Sequence, residues 1–146
     1  MAFDSVGNLF VADNTNSNIH QGSIYEYKPT GLRATFAVLA ASDRPADLAF
    51  DSAGNLLMAD LGGKISKFTQ QKVRTTFGSV PNSAESLAFD GAGNLFVVDA
   101  GDLNGNGNAI YKFTPQGARS SFASGQALSE TFSHVAFQPM AVCCSE

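Results

Sequence analysis

AFDGAGNLFVVD, residues 88–99, occurs twice earlier in nearly the same form, as AFDSVGNLFVAD at 2–13 and AFDSAGNLLMAD at 49–60. Each copy is followed by a segment that begins with isoleucine and then by one that runs from arginine to phenylalanine. A fourth copy begins at 135–137 and then loses the pattern. Because regular self-similarity is the signature of repeat architectures, the chain is predicted to contain three full repeats and part of a fourth.

The spacing of the copies gives the size of the repeated unit. The phenylalanine of the first strand recurs at intervals of 47, 39 and 48 residues, as Phe3, Phe50, Phe89 and Phe137. Four short strands in about 40 residues is the length of one β-propeller blade. We therefore predict an all-β propeller segment with three four-stranded blades and a partial fourth. The blades are placed at about 2–38, 48–79 and 87–124, and the partial blade with the tail at 130–146.

The strand composition predicts the order of strands from the axis to the rim. The second strand is apolar on both faces, as at 9–12 and 95–98, which suits burial between two neighbouring blades. The fourth strand opens with arginine and carries threonine or serine, which suits a solvent-facing edge. The strands of each blade are therefore expected to follow chain order outward from the axis.

Composition and charge exclude several classes of function. Apolar residues make up 44% and charged residues 15%, which is typical of a globular chain. The net charge is −4 and no cluster of Lys and Arg occurs, which argues against nucleic-acid binding. No apolar run approaches the roughly 20 residues that a membrane-spanning helix needs, so no membrane partner is expected.

Cysteine usage and the first residues leave the cellular location open. Cys143 and Cys144 are adjacent near the end and cannot form a disulfide framework. The first residues already belong to a repeat, and no charged-then-apolar leader precedes them. Either a cytoplasmic protein or a secreted one whose leader and earlier repeats lie elsewhere fits this sequence.

The pattern AFDxxGNLFVAD…IYKFTPxG resembles the NHL-repeat family and, more broadly, the six-bladed gluconolactonase-like propellers, which include calcium-dependent hydrolases. The resemblance covers residues 2–137. It implies the propeller fold and says less about function, because this fold carries binding scaffolds, lyases, lactonases and structural modules alike.

Three blades are too few to close a ring by themselves. Closed propellers have 4 to 8 blades, so an arc of three leaves an apolar sheet face uncovered at each end. The resemblance favours six blades, and we expect a head-to-tail homodimer that completes such a ring. The alternative is that the chain is a piece of a longer protein.

The loops between second and third strands, and those between consecutive blades, should share one face of the propeller, where a small-molecule ligand is expected. The loop after the third blade's second strand contains half of a calcium-binding pattern, with oxygen ligands at alternate positions and Gly107 at the turn. The position that needs a bidentate Glu is Phe113. Asn-Gly pairs are also good turn formers that bind nothing. The predicted calcium ligands are Asp99, Asp102, Asn104 and Asn106.

A second set of polar residues precedes the innermost strands at equivalent repeat positions: Asp47, Ser86 and His134. They are predicted to surround the channel entrance as the catalytic candidates. They are also the residue types of a nucleophilic triad, but we expect blades to be separated by more than hydrogen-bond reach, and no nucleophile elbow surrounds Ser86. In the milder hypothesis His134 is a general base, with Asp47 and Glu85 as oxygen donors. Otherwise these are solvated loop residues, as is expected of His20.

The sequence therefore predicts an NHL-type propeller module that binds a small molecule or a partner at an acidic, polar channel mouth. The alternative is a calcium-dependent hydrolase of a lactone or related ester. In that enzyme the cation would polarise the carbonyl and activate water, while a carboxylate or His134 moved protons. A structural fragment with no site is the third hypothesis.

Overall fold

A computed structural model of the chain describes residues 1–13, 22–101 and 107–124, and these ranges contain twelve β-strands and no helix. The strands are β1 (Ala2–Phe3), β2 (Leu9–Asp13), β3 (Ser23–Tyr27), β4 (Arg33–Val38), β5 (Pro45–Phe50), β6 (Leu56–Asp60), β7 (Lys64–Phe68), β8 (Arg74–Ser79), β9 (Ala84–Phe89), β10 (Leu95–Asp99), β11 (Ala109–Phe113) and β12 (Arg119–Ser124). Among the described residues no helix is available that is long and apolar enough to span a membrane.

Each run of four consecutive strands forms one antiparallel sheet in chain order. We call these sheets blade 1 (β1–β4), blade 2 (β5–β8) and blade 3 (β9–β12). The arrangement confirms the predicted all-β class with three four-stranded blades. The predicted partial fourth blade lies outside the described residues.

The turn between the first and second strands explains why the repeat keeps its Asp and Asn. In blade 3 the Asp90 carboxylate accepts the N–H groups of Ala92 and Asn94, at 3.0 and 2.8 Å, and the Asn94 side-chain amide at 2.7 Å. Gly93 follows the left-handed backbone path of this turn, with φ at 80°. The same bonds form in the other two blades, so these Asp residues stabilise turns.

The hydrophobic core lies between the blades. All residues of β6 and β10 are buried, which confirms the prediction that second strands are covered on both faces. In β2 only Phe10, which belongs to the core between blades 1 and 2, reaches that degree of burial. The core between blades 1 and 2 consists of Phe10, Ile24, Leu39, Leu48, Leu56, Met58 and Phe68. The core between blades 2 and 3 consists of Leu57, Ala59, Ile65, Val80, Ala84, Leu87, Leu95, Val97 and Phe113.

The innermost strands begin three residues earlier than the sequence predicted. β5 begins at Pro45 and β9 at Ala84, where starts near 48 and 87 were expected. The additional residues are paired with the second strands, because Asp47 lies opposite Ala59 and Ser86 lies opposite Val98. Each of these two strand pairs contains a register shift. Asp47 and Ser86 are therefore strand residues, and the alternative that they are solvated loop residues is wrong.

Candidate functional site

Asp47 joins the innermost strands of blades 2 and 3. Its Oδ2 atom accepts the backbone N–H of Leu87 at 3.0 Å and the hydroxyl of Ser86 at 3.3 Å. Its Oδ1 atom accepts the N–H of Leu48, on its own strand, at 2.8 Å. The expectation that neighbouring blades are too far apart for hydrogen bonds is wrong here, because the innermost strands converge and the Asp47 side chain extends to the next one.

The two residues differ in their access to solvent. Ser86 is only 1% exposed, whereas the Asp47 side chain is 20% exposed. The amino nitrogen of Met1, the residue before β1, lies 3.8 Å from Asp47 Oδ1. Asp47 therefore contacts the inner strands of blades 2 and 3. A carboxylate has about four acceptor positions, so Oδ1 keeps capacity for a further donor.

Asp99, the described member of the predicted calcium ligands, already accepts four N–H donors. Its Oδ1 atom accepts the N–H groups of Ser83 and Gly101 at 2.9 and 3.2 Å. Its Oδ2 atom accepts the backbone and side-chain nitrogens of Asn82 at 3.2 and 3.3 Å. Asp99 is 1% exposed, so a cation would have to displace these donors. The described contacts therefore do not fit a metal ligand at this position; they hold the loop between blades 2 and 3.

The equivalent residue of blade 2 has the same role. Asp60 accepts the N–H groups of Arg44 and Gly62, both at 2.7 Å. The aspartate that closes the second strand is therefore a loop-fixing residue of the repeat. In the described ranges no group of three or more His, Cys, Asp or Glu side chains is arranged to hold a metal ion. Calcium binding stays a prediction.

Several of the predicted site residues fall outside the described ranges. Of the residues proposed to bind calcium or take part in catalysis, the structure describes Asp47, Glu85, Ser86 and Asp99, and it brings Asp47 and Ser86 together. The others are Asp102, Asn104, Asn106 and His134, and His20 lies outside the described residues as well.

An ion cluster around the buried Asp43, in the loop between blades 1 and 2, was not found from the sequence. Asp43 is 2% exposed and accepts two bonds from Arg74, at 2.6 and 2.9 Å, and one from Lys64 at 3.0 Å. The Ala40 N–H adds a fourth at 2.8 Å. The hydrogen bonds from Arg74 lower the pKa of Asp43 far below its usual range, and those from Lys64 and Ala40 add to this against the effect of burial.

A substitution within the repeat explains the cluster. In blades 1 and 3 the equivalent arginines lie over tyrosine rings, Arg33 over Tyr25 at 4.7 Å and Arg119 over Tyr111 at 5.0 Å. Blade 2 has Ser66 at the tyrosine position, and its hydroxyl contacts the arginine at 3.0 Å. The small serine leaves the guanidinium room to reach the buried carboxylate. This difference between repeats was the available sequence signal.

Two clefts open on the propeller face opposite the loops that join consecutive blades, beside the turns that join first and second strands. The cleft between blades 1 and 2 has a volume of about 490 Å³ and that between blades 2 and 3 about 530 Å³. Both volumes fall within the range of small-molecule sites. The residues lining them include Phe10, Phe36, Phe50, Asp4 and Lys72 in the first, and Phe77, Phe89, Lys67, Asp51 and Asp90 in the second. The sequence had directed attention only to the other face.

The charges at the second cleft are already paired. Lys67 donates to Asp51 at 2.9 Å, and the Asn55 amide donates to the same oxygen at 2.9 Å. Burial raises the pKa of Asp51, but the bonds from Lys67 and Asn55 outweigh it and the pKa is lowered overall. The Asp51 carboxylate therefore stabilises its turn and pairs with Lys67.

Comparison with solved structures shows the fold. A streptogramin B lyase structure superimposes with a TM-score of 0.69 at 16% identity over 92% of this chain and 43% of that chain. Virginiamycin B lyase from Staphylococcus aureus gives a TM-score of 0.65 at 14% identity over 85% of this chain and 40% of that one. A putative gluconolactonase gives a TM-score of 0.57 at 16% identity, covering 82% and 46%.

These similarities make the chain a β-propeller segment, of the fold found in propeller enzymes. It spans less than half of the length of each of these solved structures. No family model matches the chain, and no curated protein matches it either. The NHL-repeat resemblance therefore stays a resemblance, and at this level of identity the solved structures show the fold alone.

Proposed function

We propose that this chain is a propeller module that binds a small molecule at the mouth of its central channel, near the start of the innermost strands. Asp47 is the central contact. The observation that supports the proposal is the state of the Asp47 carboxylate. The N–H groups of Leu48 and Leu87 and the hydroxyl of Ser86 fix it, yet the side chain stays 20% exposed. It is a fixed acceptor on the innermost strand of the middle blade.

A fixed and partly exposed carboxylate favours ligands that carry hydroxyl, N–H or cationic groups. The donors on Asp47 hold its rotamer before a ligand arrives, so little side-chain entropy remains to be lost on binding. Small-molecule sites typically combine concave apolar surface with a few placed polar groups. The net charge of −4 adds a long-range preference for neutral or cationic ligands over anions.

Calorimetric titration with two probes tests this proposal. The probes are gluconolactone and quinupristin, chosen because the similar structures include a putative gluconolactonase and a virginiamycin B lyase with quinupristin. We expect the wild-type protein to bind at least one, and Asp47→Asn to bind it about tenfold more weakly, the effect of one charged hydrogen bond. Glu26→Gln, on the opposite face, is the matched control and should bind normally. Unchanged binding by Asp47→Asn, or no binding by the wild type, would contradict the proposal.

The second candidate is a calcium-dependent hydrolase of a lactone or related ester. It is favoured by the solved structures named above, a lyase and a putative gluconolactonase. A histidine-to-alanine variant of the virginiamycin B lyase is catalytically inactive. In this chain His134 is predicted at the repeat position equivalent to Asp47 and Ser86, two residues that lie in hydrogen-bond contact. His134 is the residue that we propose as the general base.

Mass spectrometry of gluconolactone and quinupristin incubated with the protein distinguishes hydrolysis from elimination, the reaction of a lyase. Hydrolysis adds one water to the substrate, whereas elimination opens the ring without changing its mass. The chain has two histidines, so His20→Ala is the natural control for His134→Ala. The hydrolase proposal expects ring opening with addition of water, lost in His134→Ala and kept in His20→Ala.

Loss of turnover with EDTA, restored by calcium, is expected if Asp102, Asn104 and Asn106 bind the ion. Inactivity of the wild type with calcium present would reject this candidate.

A further inference from the structure

The turn between β7 and β8 has a lysine where the other two blades have glycine. Lys72 occupies the repeat position of Gly31 and Gly117 and shares their left-handed backbone, with φ at 63° against 84° and 86°. Among the described residues it is the only one other than glycine with positive φ. A β-carbon is unfavourable in this conformation, so the lysine costs stability at a position where glycine is unstrained. Its side chain is therefore the feature to explain.

The Lys72 side chain reaches blade 1 in the cleft between blades 1 and 2. Its Nζ atom lies 5.3 Å from the centre of the Phe36 ring and 3.4 Å from the carbonyl oxygen of Thr35. Both contacts are weak, because the hydrogen bond is long and the lysine is exposed. Lys72 pairs with no carboxylate among the residues that the structure describes. An aromatic face is therefore its main partner, and the ammonium group can leave for water at little cost.

Three phenylalanine rings line the cleft that holds this ammonium group. The Phe10 ring lies 5.1 Å from that of Phe36 and 4.9 Å from that of Phe50, and both pairs are edge to face. In the cleft between blades 2 and 3 the residue equivalent to Phe10 is Leu57. The cleft between blades 1 and 2 thus gains an aromatic ring by a substitution within the repeat, and its volume of about 490 Å³ leaves room for a small molecule.

The charges of this cleft also depart from the repeat. Blade 1 has Glu26 where blade 2 has Lys67, which pairs with Asp51 at 2.9 Å. The counterpart of Asp51 is Asp4, and both Asp4 and Glu26 line the cleft. The oxygens of Asp4 accept three hydrogen bonds from uncharged amide groups, which leave its negative charge in place. Asp4 therefore lacks the lysine that its counterpart has.

Glu26 does have a cationic partner, but an exposed one. Lys28 Nζ lies 2.6 Å from its carboxylate, and the Lys28 side chain is 50% exposed. Ion pairs with such exposure are weak, so Lys28 can turn toward water when another cation approaches. Two carboxylates beside an aromatic surface favour a positively charged ligand.

We propose that the cleft between blades 1 and 2 binds a small organic ammonium ion on the Phe36 ring, with Asp4 and Glu26 as its counter-charges. Lys72 occupies this position until the ligand displaces it. Aromatic faces attract ammonium ions, and quaternary ammonium groups are typical ligands of such surfaces. Only molecules in which Lys72 has left the ring can bind, so the lysine lowers the apparent affinity by that fraction. This inference goes beyond the site proposed at the channel mouth and does not rest on it.

An NMR titration with choline at low ionic strength, where charges are least screened, tests the inference. The comparison ligand is neohexyl alcohol, in which a carbon atom replaces the charged nitrogen. We expect the wild type to bind choline at least about tenfold more tightly than the alcohol. Lys72→Gly restores the residue of the other blades, so it should fold normally and bind choline about fivefold more tightly than the wild type. Lys72→Asn should do the same, because asparagine tolerates the left-handed backbone.

Glu26→Lys is the opposite change. It gives blade 1 the lysine of blade 2, which should pair with Asp4 and weaken choline binding at least about tenfold. Asp47→Asn, at the channel mouth, is the matched control and should bind choline as the wild type does. Circular dichroism checks the folding of each variant.

Four outcomes would overturn the inference. They are equal affinity for choline and the alcohol, no choline binding by Lys72→Gly, weaker binding by Lys72→Gly than by the wild type, and unchanged binding by Glu26→Lys. Loss of choline binding in folded Asp47→Asn would also overturn it, since the ligand would then bind at the channel mouth. Failure of gluconolactone and quinupristin to bind would leave this inference standing, because it concerns the opposite face.

Discussion

Arg74 places two guanidinium nitrogens on the carboxylate of Asp43, at 2.6 and 2.9 Å, across 31 residues of sequence. The pair is asymmetric in its exposure, since the Asp43 side chain is 1% exposed and that of Arg74 is 28% exposed. The carboxylate is therefore the member that depends on its partner, because the arginine can reach water and the aspartate cannot. This asymmetry decides which substitution is costly.

Replacing Arg74 should destabilise the fold more than replacing its counterpart in blade 3. Arg74→Met leaves a buried carboxylate with Lys64 as its remaining cation, and breaking a buried pair in this way costs about 3 kcal/mol. Arg119→Met removes one hydrogen bond to a carbonyl and contact with a tyrosine ring at a solvent-accessible edge, worth about 1 kcal/mol. Urea denaturation of both variants at one protein concentration measures the difference. Equal losses would show that the cluster has no special role in stability.

The same carboxylate makes stability depend on acid pH. The folded-state pKa of Asp43 is lowered, so in acid the unfolded chain binds more protons than the folded chain. Its contribution is fully present above the unfolded pKa of about 3.9 and is lost as the pH falls from there toward the folded value. Asp4, Asp51 and Asp90 have lowered pKa values as well and act in the same direction.

Urea midpoints measured from pH 6 downward isolate the part due to Asp43. The wild type should lose stability below about pH 4. Asp43→Asn should start from a lower stability and fall less steeply over that window, because the titrating group has been removed. Parallel curves for the two proteins would show that Asp43 does not carry the acid sensitivity.

The repeat made the fold predictable from the sequence. Each unit contains its own turn signal, such as Asp90 followed by Gly93 and Asn94, and this signal is local. The two-faced burial of β6 and β10 could be read from unbroken apolar runs. Both features depend on residues close together in the chain, and therefore a single sequence was sufficient.

The polar contacts between blades were harder to predict because they depend on distances that no repeat pattern contains. The Asp47–Ser86 contact spans 39 residues and the Asp43–Arg74 pair spans 31. Asp99 was predicted as a ligand from its residue type, and the structure shows that its oxygens face N–H donors of a neighbouring loop. The residue types were visible in the sequence, but the partners that determine their roles were not.

The bond between Asp47 and Ser86 should be a minor part of the junction between blades 2 and 3. The hydroxyl contact is long, at 3.3 Å, whereas the Leu87 N–H donates to the same oxygen at 3.0 Å. Asp47→Asn should cost about 1–2 kcal/mol, because its amide group would face one of the N–H donors. In a double-mutant cycle with Ser86→Ala the coupling should stay below about 1 kcal/mol. A larger coupling would make the serine, and not the backbone, the main tie between the blades.

Glycine substitutions provide a test in which the repeat and the structure disagree. Gly78 lies where blades 1 and 3 have Ala37 and Ala123, so the repeat alone predicts that Gly78→Ala stabilises the protein. In the structure an added Cβ would lie 2.6 Å from the ring of Phe113, which is fully buried. Moving that ring costs about 1–3 kcal/mol, more than the 0.5–1 kcal/mol that alanine gains over glycine in a strand.

Gly91→Ala is the matched control for that variant. Gly91 also departs from the other repeats, which have Ser5 and Ser52, but an added Cβ there meets nothing within 4 Å. Its backbone does not lie in the left-handed region, so alanine should stabilise the fold by about 0.4–1 kcal/mol by restricting the unfolded chain. Thermal unfolding at one protein concentration should therefore shift in opposite directions for the two variants. A gain of stability in Gly78→Ala would contradict this prediction. It would mean that the tilted Phe77–Phe113 pair reaches the edge-to-face arrangement seen for Phe36 and Phe68 at no cost in free energy.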